Sequence, residues 1–272
     1  MLNLPKKRRK SQLGCIPDIK DIRDFRYTLN KSLIDKLPPK VDLTPSFPAY
    51  NQGHIGSCTA NALAGAIEYQ RIAHSEKPDF VPSRLFIYYN ERCIEGHVNY
   101  DSGAMLRDGI KVLHKIGVCP ESEWPYDAIP PSREGHVFPP QSRARKKPPL
   151  SCYNHAANYV ITSYHRIEQD INHLKSCLAD GSPFVFGFAV YDSWISSQDE
   201  PSTCIPLPTP DDKLAGGHAV LCVGYDDSTQ LFRFRNSWGE NAGDKGNFYI
   251  PYDYISNPQL ASDFWVIYTV KN

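Results

Sequence analysis

From Ser57 to about Gln70 the chain carries small residues on every side of a helical pattern. Ala62, Leu63, Ala66, Ile67 and Gln70 recur at spacings of three and four, while Ala60, Ala64 and Gly65 fill the remaining surface. A helix that is small all round is buried in the middle of a lobe, with other elements packed closely around it. Enclosing it takes a sizeable core. The 272 residues, 41% apolar and 12% aromatic, are enough for one large domain or two packed lobes, and they exclude disorder over most of the length. The longest apolar run, Phe184–Tyr191, spans eight residues and is too short for a membrane helix.

The formal net charge of zero hides an asymmetry. Residues 1–40 hold eleven Lys and Arg against four Asp, a net +7, so residues 41–272 carry −7. The first forty residues read as a basic arm that ends at Pro38-Pro39. Its run Lys6–Lys10 is followed by Ser-Gln-Leu-Gly-Cys, which is no apolar core of a secretory signal, so a cytoplasmic protein or non-classical export is expected. Pro45, Pro48, Gly53 and Gly56 keep the stretch before the small-residue helix irregular. Further helices are expected at Ser83–Cys93, with Ser83 as N-cap, at Ala104–Lys115, closed by Gly117, and at Ile167–Ala179, ended by Gly181. Six prolines between Pro130 and Pro149, together with Arg143, Arg145, Lys146 and Lys147, suggest a surface crossover. Strands follow at Pro183–Tyr191, His218–Tyr225, Leu231–Asn236, Asn247–Pro251 and Phe264–Val270. Helices first and strands afterwards predict an α+β chain of two lobes. The expected division is 41–130 mainly helical, 131–150 crossover and 151–272 mainly β.

Three short segments carry chemistry together. Asn51-Gln52-Gly53-His54-Ile55-Gly56-Ser57-Cys58 sets a thiol in the first turn of the buried helix, where the helix dipole favours thiolate. Gly216-Gly217-His218-Ala219-Val220-Leu221 opens an apolar strand with a histidine, and Arg235-Asn236-Ser237-Trp238-Gly239 ends one with an asparagine. Cys58 can serve as nucleophile, His218 as base and then acid, and Asn236 as the group that orients the imidazole. Gln52 and the Cys58 amide can donate to a tetrahedral oxyanion, where one such donor is worth about 3–4 kcal/mol of barrier. Trp238 can keep water off the His–Asn bond.

These segments resemble the papain/cathepsin family of cysteine peptidases, and the resemblance runs from about Val41 to the C-terminus. It also takes in Gly224-Tyr225, Gly246, Tyr249-Ile250-Pro251 and Trp124-Pro125-Tyr126. It implies a helical lobe and a β-barrel-like lobe with a cleft between Cys58 and His218, and cleavage of proteins or peptides without metal or organic cofactor. Asp101-Ser102-Gly103 stands where the family has paired glycines, so Gly103 would pair its backbone with an extended substrate. The candidate substrate-contacting residues are Ser102, Gly103, Met105, Gly217 and Trp238. A side-chain pocket is expected among Ala104, Met105 and Ala261–Asp263.

The chain also departs from the family pattern. Ile55 replaces a family cysteine, Thr59 replaces a tryptophan after the nucleophile, and Ala242 replaces a tryptophan that would back Trp238, which would loosen the cover over Asn236. Cys58 precedes His218 by 160 residues and Asn236 by 178, more than the roughly 130–150 usual in the family. The resemblance leaves Cys93 and Cys152 as one family-like disulfide pair, while an odd number of remaining cysteines favours mostly free thiols. Cys93–His97 and Cys152–His155 have metal-like spacing but lack a second matching pair, so no metal site is expected. Forty residues are too few for the family's helical prosegment, yet long enough to cross a cleft, and the arm is expected to act in cis as a short plug drawn by charge. Two alternatives stand beside a peptidase of this kind. One is a silent binding module of the same fold; the other is an exopeptidase or acyl transferase, with Glu200–Asp212 or the arm closing one end. Nucleic acid is disfavoured as a partner because Lys6–Lys10 and Arg143–Lys147 lack interleaved aromatics.

Overall fold

The computed structural model describes residues 13–28, 36–76, 80–133, 135–195 and 201–269. The basic run Lys6–Lys10, Glu200 and Val270 lie outside these residues. Helix α1 (Cys58–Ala73) is buried along nearly its whole length. Around it stand α2 (Arg84–Glu95), α3 (Leu106–Lys115) and the short α4 (Leu150–Ala156). Ser83 caps α2 as expected, accepting a hydrogen bond from the Phe86 amide, and Gly96 closes it in the left-handed conformation. Within the proline-rich stretch Phe138 and Ala144 are fully buried in the same cluster as Cys152 and Ala156, so this segment belongs to the helical core as well as to the surface.

The second lobe is built on a seven-stranded sheet. Its order is β4 (Ser163–Arg166), β9 (Ala261–Tyr268), β5 (Phe184–Tyr191), β6 (Leu214–Asp226), β7 (Leu231–Arg235) and β8 (Asn247–Pro251), and β2 (Lys40–Asp42) also pairs with β6. All these pairings are antiparallel. Helices α5 (Ile171–Ala179), α6 (Asp192–Ile195) and α7 (Tyr252–Ser256) flank it. Two expected helix starts move. Asp170 caps α5 through the amides of Asn172 and His173, so the helix begins at Ile171 instead of Ile167. Ala104–Met105 forms strand β3, paired in parallel with β1 (Cys15–Ile16) of the arm, and α3 begins only at Leu106. The α+β, two-lobed expectation holds.

The two-residue period of β6 joins the lobes. Ala219, Leu221 and Val223 belong to the core shared with α1 and Val220 and Cys222 to the β-lobe core, and the register shift between Cys222 and Gly224 breaks the alternation so that Tyr225 also joins the β-lobe core. At Gly65 of α1 a Cβ would meet the Leu221 side chain at 3.6 Å, an ordinary contact distance, so the helix face here takes nothing much larger than a methyl group. Small residues on α1 therefore let the helix lie directly against the sheet.

A buried guanidinium shapes the loop before β3. Arg92 is fully buried; its Nε donates to the Tyr88 carbonyl, Nη1 to those of Val98 and Tyr100, and Nη2 to that of Ala144. Tyr88 in turn donates its hydroxyl hydrogen to Asp101 Oδ1 at 2.6 Å, and the same oxygen accepts the Gly56 amide at 2.9 Å. Arg92→Leu strands several buried carbonyls and is expected to lower stability by about 3–5 kcal/mol in urea unfolding. A loss under about 1 kcal/mol would show that the carbonyls find other donors.

Candidate active site

Cys58 opens α1 and is fully buried. On β6, Ala219 faces the helix, and its amide lies against the Cys58 thiol. The preceding residue, His218, turns to the other side of the strand. Its ring stacks on Trp238 at 5.2 Å and meets Phe188 edge-on at 5.7 Å. Asn236, just past β7, places Oδ1 2.8 Å from His218 Nε2. The same Oδ1 accepts the Ser237 amide at 2.8 Å, which identifies that atom as oxygen. Nε2 must therefore carry the hydrogen, and Nδ1 is left as the nitrogen that can take or give a proton.

Ser237 ties this loop to Gln52. The Gln52 amide N–H donates to the Ser237 carbonyl at 2.9 Å, and the Ser237 hydroxyl donates to Gln52 Oε1 at 2.6 Å. With Oε1 engaged, Gln52 Nε2 is the donor end, and one of its hydrogens goes to the Ile55 carbonyl at 2.8 Å. Tyr126 of the Trp-Pro-Tyr segment reaches the same place. Its hydroxyl donates to the Gln52 carbonyl at 2.9 Å and lies 2.6 Å from Ser57 Oγ. The four residues Gln52, Cys58, His218 and Asn236 thus come together with less than 3% exposure each.

Ser237, Tyr126 and Trp194 are site residues the motif reading did not single out. Trp194, on α6, stacks near Trp238 at 5.3 Å and anchors its indole N–H on the Ser202 carbonyl at 2.9 Å. It fills the role expected of a tryptophan at position 242, so the cover over Asn236 is not loosened by Ala242. No local pattern marks Trp194, because its partner lies on another segment of the chain. The exchange at Thr59 also has a partner: its hydroxyl donates to Glu91 at 3.0 Å, and burial holds that carboxyl well above the usual carboxylate range. All eight cysteines are free; Cys93 is exposed at the end of α2 and Cys152 neighbours Cys119, so the family-like Cys93–Cys152 pair is absent.

The arm passes directly over this site. The Ala104 amide donates to the Gly14 carbonyl at 2.8 Å, and the pairing Cys15↔Ala104, Ile16↔Met105 follows. A Cβ on Gly103, which adopts φ +73°, would lie 2.2 Å from the Gly14 carbonyl oxygen. On the opposite wall a Cβ on Gly217 would lie 2.2 Å from the Cys15 oxygen. Bare backbone on both walls admits the strand between them. Leu13 rests against Gly216, and the Cys15 thiol reaches Gly187, next to Ser262, which places it in the pocket expected near Ala261–Asp263. Ser102 turns its hydroxyl back to the Gly103 carbonyl at 3.1 Å, and the Met105 amide donates to Glu95 at 2.9 Å.

Beyond the cleft the arm is held by charge of unexpected sign. Asp18 is buried, accepting the Arg107 amide at 3.0 Å and the Trp265 indole at 2.8 Å. Arg166 bridges Asp18, Asp24 and Asp263, and Arg107 pairs with Asp24. Asp263 sits at φ +60° beside the irregular pairing of β5 with β9 and accepts the Asp18 amide at 2.9 Å. Among the described residues, the buried arm-to-body pairs thus join acidic arm residues to basic body residues. Of the basic arm residues expected to dock on the acidic body, Lys40 pairs with Asp226 at 2.8 Å on the surface, and Lys6–Lys10 and Lys31 lie outside the described residues.

Comparison with known proteins came out consistently. The profile of the papain family cysteine proteases matches residues 37–265. An uncharacterized peptidase C1-like protein of Acanthamoeba polyphaga mimivirus is 38% identical over 268 residues, covering 94% of this chain and 82% of its own. The crystal structure of xylellain, a cysteine protease from Xylella fastidiosa, superposes with a TM-score of 0.94 at 64% identity over 99% of this chain and 100% of that one. Digestive procathepsin L 3 of Tenebrio molitor larval midgut, 20% identical, shares the fold with a TM-score of 0.68 over 95% of this chain and 77% of that one.

Burial pushes the Cys58 thiol up to about 12, although the amides of Ala219, Gly14 and Thr59 pull it down. The dipole of α1 is thus outweighed while the arm covers the sulfur. Deleting residues 1–28 is expected to speed alkylation of Cys58 by iodoacetamide at pH 7.5 at least about tenfold, followed by mass spectrometry. Equal rates would mean that the arm does not shield the thiol.

Proposed function

Because this chain belongs to the papain family of cysteine proteases, we propose that it is an endopeptidase that works through a thioester at Cys58 and is held closed by its own arm. Cys58 transfers its proton to His218 Nδ1, and the thiolate attacks the substrate carbonyl. Negative charge gathering on the carbonyl oxygen is met by Gln52 Nε2–H and the Cys58 backbone N–H. His218 then returns the proton to the leaving amine, and water, deprotonated by the same nitrogen, hydrolyses the thioester. Asn236 fixes the imidazole through Nε2, under the cover of Trp238 and Trp194.

One observation carries the endopeptidase reading: a backbone lies threaded between Gly103 and Gly217 with its amide at the Cys58 thiol. The slot holds the extended segment Leu13–Ile16, which supports a substrate bound as a length of polypeptide backbone. Ser102, Gly103, Met105 and Gly217 then serve an extended substrate as they serve the arm. The Cys15 site favours a small apolar side chain. Residues 1–40 act as the inhibitory segment on a body of residues 41–272.

Burial and the neighbouring Asp263 push Asp18 up to about 6. A carboxyl that gains affinity for its proton on docking tightens that docking as the pH falls from about 6 towards 4, and contributes least above 7. The arm is therefore strongest in acid.

Three measurements test this reading. Cys58→Ala is expected to abolish peptide hydrolysis, and Gln52→Ala to lower kcat by about 10²–10³. Retained turnover in Cys58→Ala would overturn the catalytic assignment. Removal of residues 1–28 is expected to raise kcat/KM by at least about tenfold; unchanged activity would overturn the plug alone. A peptide of residues 13–28 is expected to bind the arm-deleted Cys58→Ala body about tenfold more tightly at pH 4.5 than at pH 7.5, with Asp18→Asn flattening the difference. Tighter binding at pH 7.5 would reverse the assigned role of Asp18.

A further inference from the structure

Away from the cleft, two buried thiols meet a carboxylate that their sequence positions do not announce. Cys119 follows α3, and Cys152 lies on α4, 33 residues later. Both are at most 1% exposed, and the Cys152 thiol donates to the Glu123 carbonyl at 3.9 Å. Glu123 joins them: one ligand atom from each of Cys119, Glu123 and Cys152 lies within 4.8 Å of the others. His155, one helical turn after Cys152, holds Glu123 Oε1 through Nδ1 at 2.6 Å. The other carboxylate oxygen, Oε2, is shut off from solvent and has no hydrogen-bond partner among the described residues.

We propose that Cys119, Cys152 and Glu123 bind a structural zinc ion, with His155 positioning the carboxylate. Two thiolates and one carboxylate oxygen suit zinc, a borderline-soft cation that takes S, N and O donors in a tetrahedron. With zinc–sulfur bonds of about 2.3 Å the two sulfurs of a tetrahedral site stand about 3.8 Å apart, a spacing that ligand atoms lying within 4.8 Å of one another can meet. Each thiol gives up its proton on binding, so two protons leave per metal ion. A water supplies the fourth position. The pair Cys152–His155 has metal-like spacing by itself; the fold supplies the missing half, Cys119 and Glu123, from a different segment.

The site has a structural purpose. The loop that carries Cys119 and Glu123 also carries Glu121, which pairs with Arg84 at 2.6 Å and accepts the Tyr126 amide at 3.2 Å. Tyr126 supports the Gln52 carbonyl at 2.9 Å. A metal clamp between this loop and α4 fixes the platform beneath Gln52 without touching the reacting atoms.

The test uses the full chain with Cys58→Ala, which removes the cleft thiol as a competing zinc ligand. The reduced, metal-stripped protein is mixed with one equivalent of zinc and dialysed. One zinc per chain is expected to remain, with two protons released and a raised Tm. Cobalt is expected to give thiolate-to-cobalt charge transfer with the intense visible bands of a tetrahedral site. The added Cys119→Ser/Cys152→Ser pair is expected to abolish retention. If that variant fails to fold, His155→Ala, a substitution of an exposed residue, is expected to weaken zinc about 10–100-fold with unchanged circular dichroism. The proposal is overturned if no zinc is retained, or if retention survives both sets of substitutions. It is equally overturned if non-reducing mass spectrometry of the untreated protein finds Cys119 and Cys152 joined as a disulfide.

Discussion

Everything at the cleft depends on one close contact, that of α1 with β6. A helix face of small residues can approach the sheet where larger ones would hold it off, and at Gly65 only a methyl-sized group would fit against Leu221. That approach brings the Ala219 amide to the Cys58 thiol. Strand alternation then puts His218 on the opposite side of β6, among Phe188 and Trp238. Cys58 and His218 thus come from separate lobes, yet their relative position is set by the packing of one helix on one strand.

The hydrogen bonds around this contact form a chain in which each link fixes the next. Ser237 identifies Asn236 Oδ1 as the acceptor for His218 and turns Gln52 so that its nitrogen is the donor end. Tyr126 holds Gln52 and Ser57 from the far side. Buried polar groups linked in this way are rigid because any loosened member would stay unsatisfied in a low dielectric. Trp194 shows how such a site tolerates exchange. The aromatic backing absent at Ala242 comes from another helix, and Trp238 is covered all the same.

The arm uses features that a substrate would also need. Gly103 and Gly217 leave backbone bare on both walls, and the arm fills that slot with Gly14 and Cys15. Its electrostatics depend on particular residues more than on net charge. Asp18 and Asp24 pair with Arg107 and Arg166, so an arm of net +7 is fastened by its few acidic residues. Exposed lysines contribute little to such docking because solvent screens them, whereas buried carboxylates are held by fixed donors.

The amino-acid order alone marked the candidate catalytic groups and their setting. The small-residue helix, the thiol at its start, the histidine and asparagine on later strands and the glutamine six residues upstream are all local patterns, and local patterns are legible in one dimension. The two-lobed α+β architecture followed from the order of helical and strand periods. Only the tertiary structure decided where separate segments meet. It put Trp194 behind Trp238, Arg166 between three aspartates, and Cys119 beside Cys152, where the resemblance had suggested Cys93. Among the described residues it also gave the buried part of the arm acidic anchors, beside the exposed Lys40–Asp226 pair, and it raised the Cys58 thiol against the pull of its helix. These outcomes depend on burial and on pairs far apart in the chain, and neither quantity is carried by residue type or spacing.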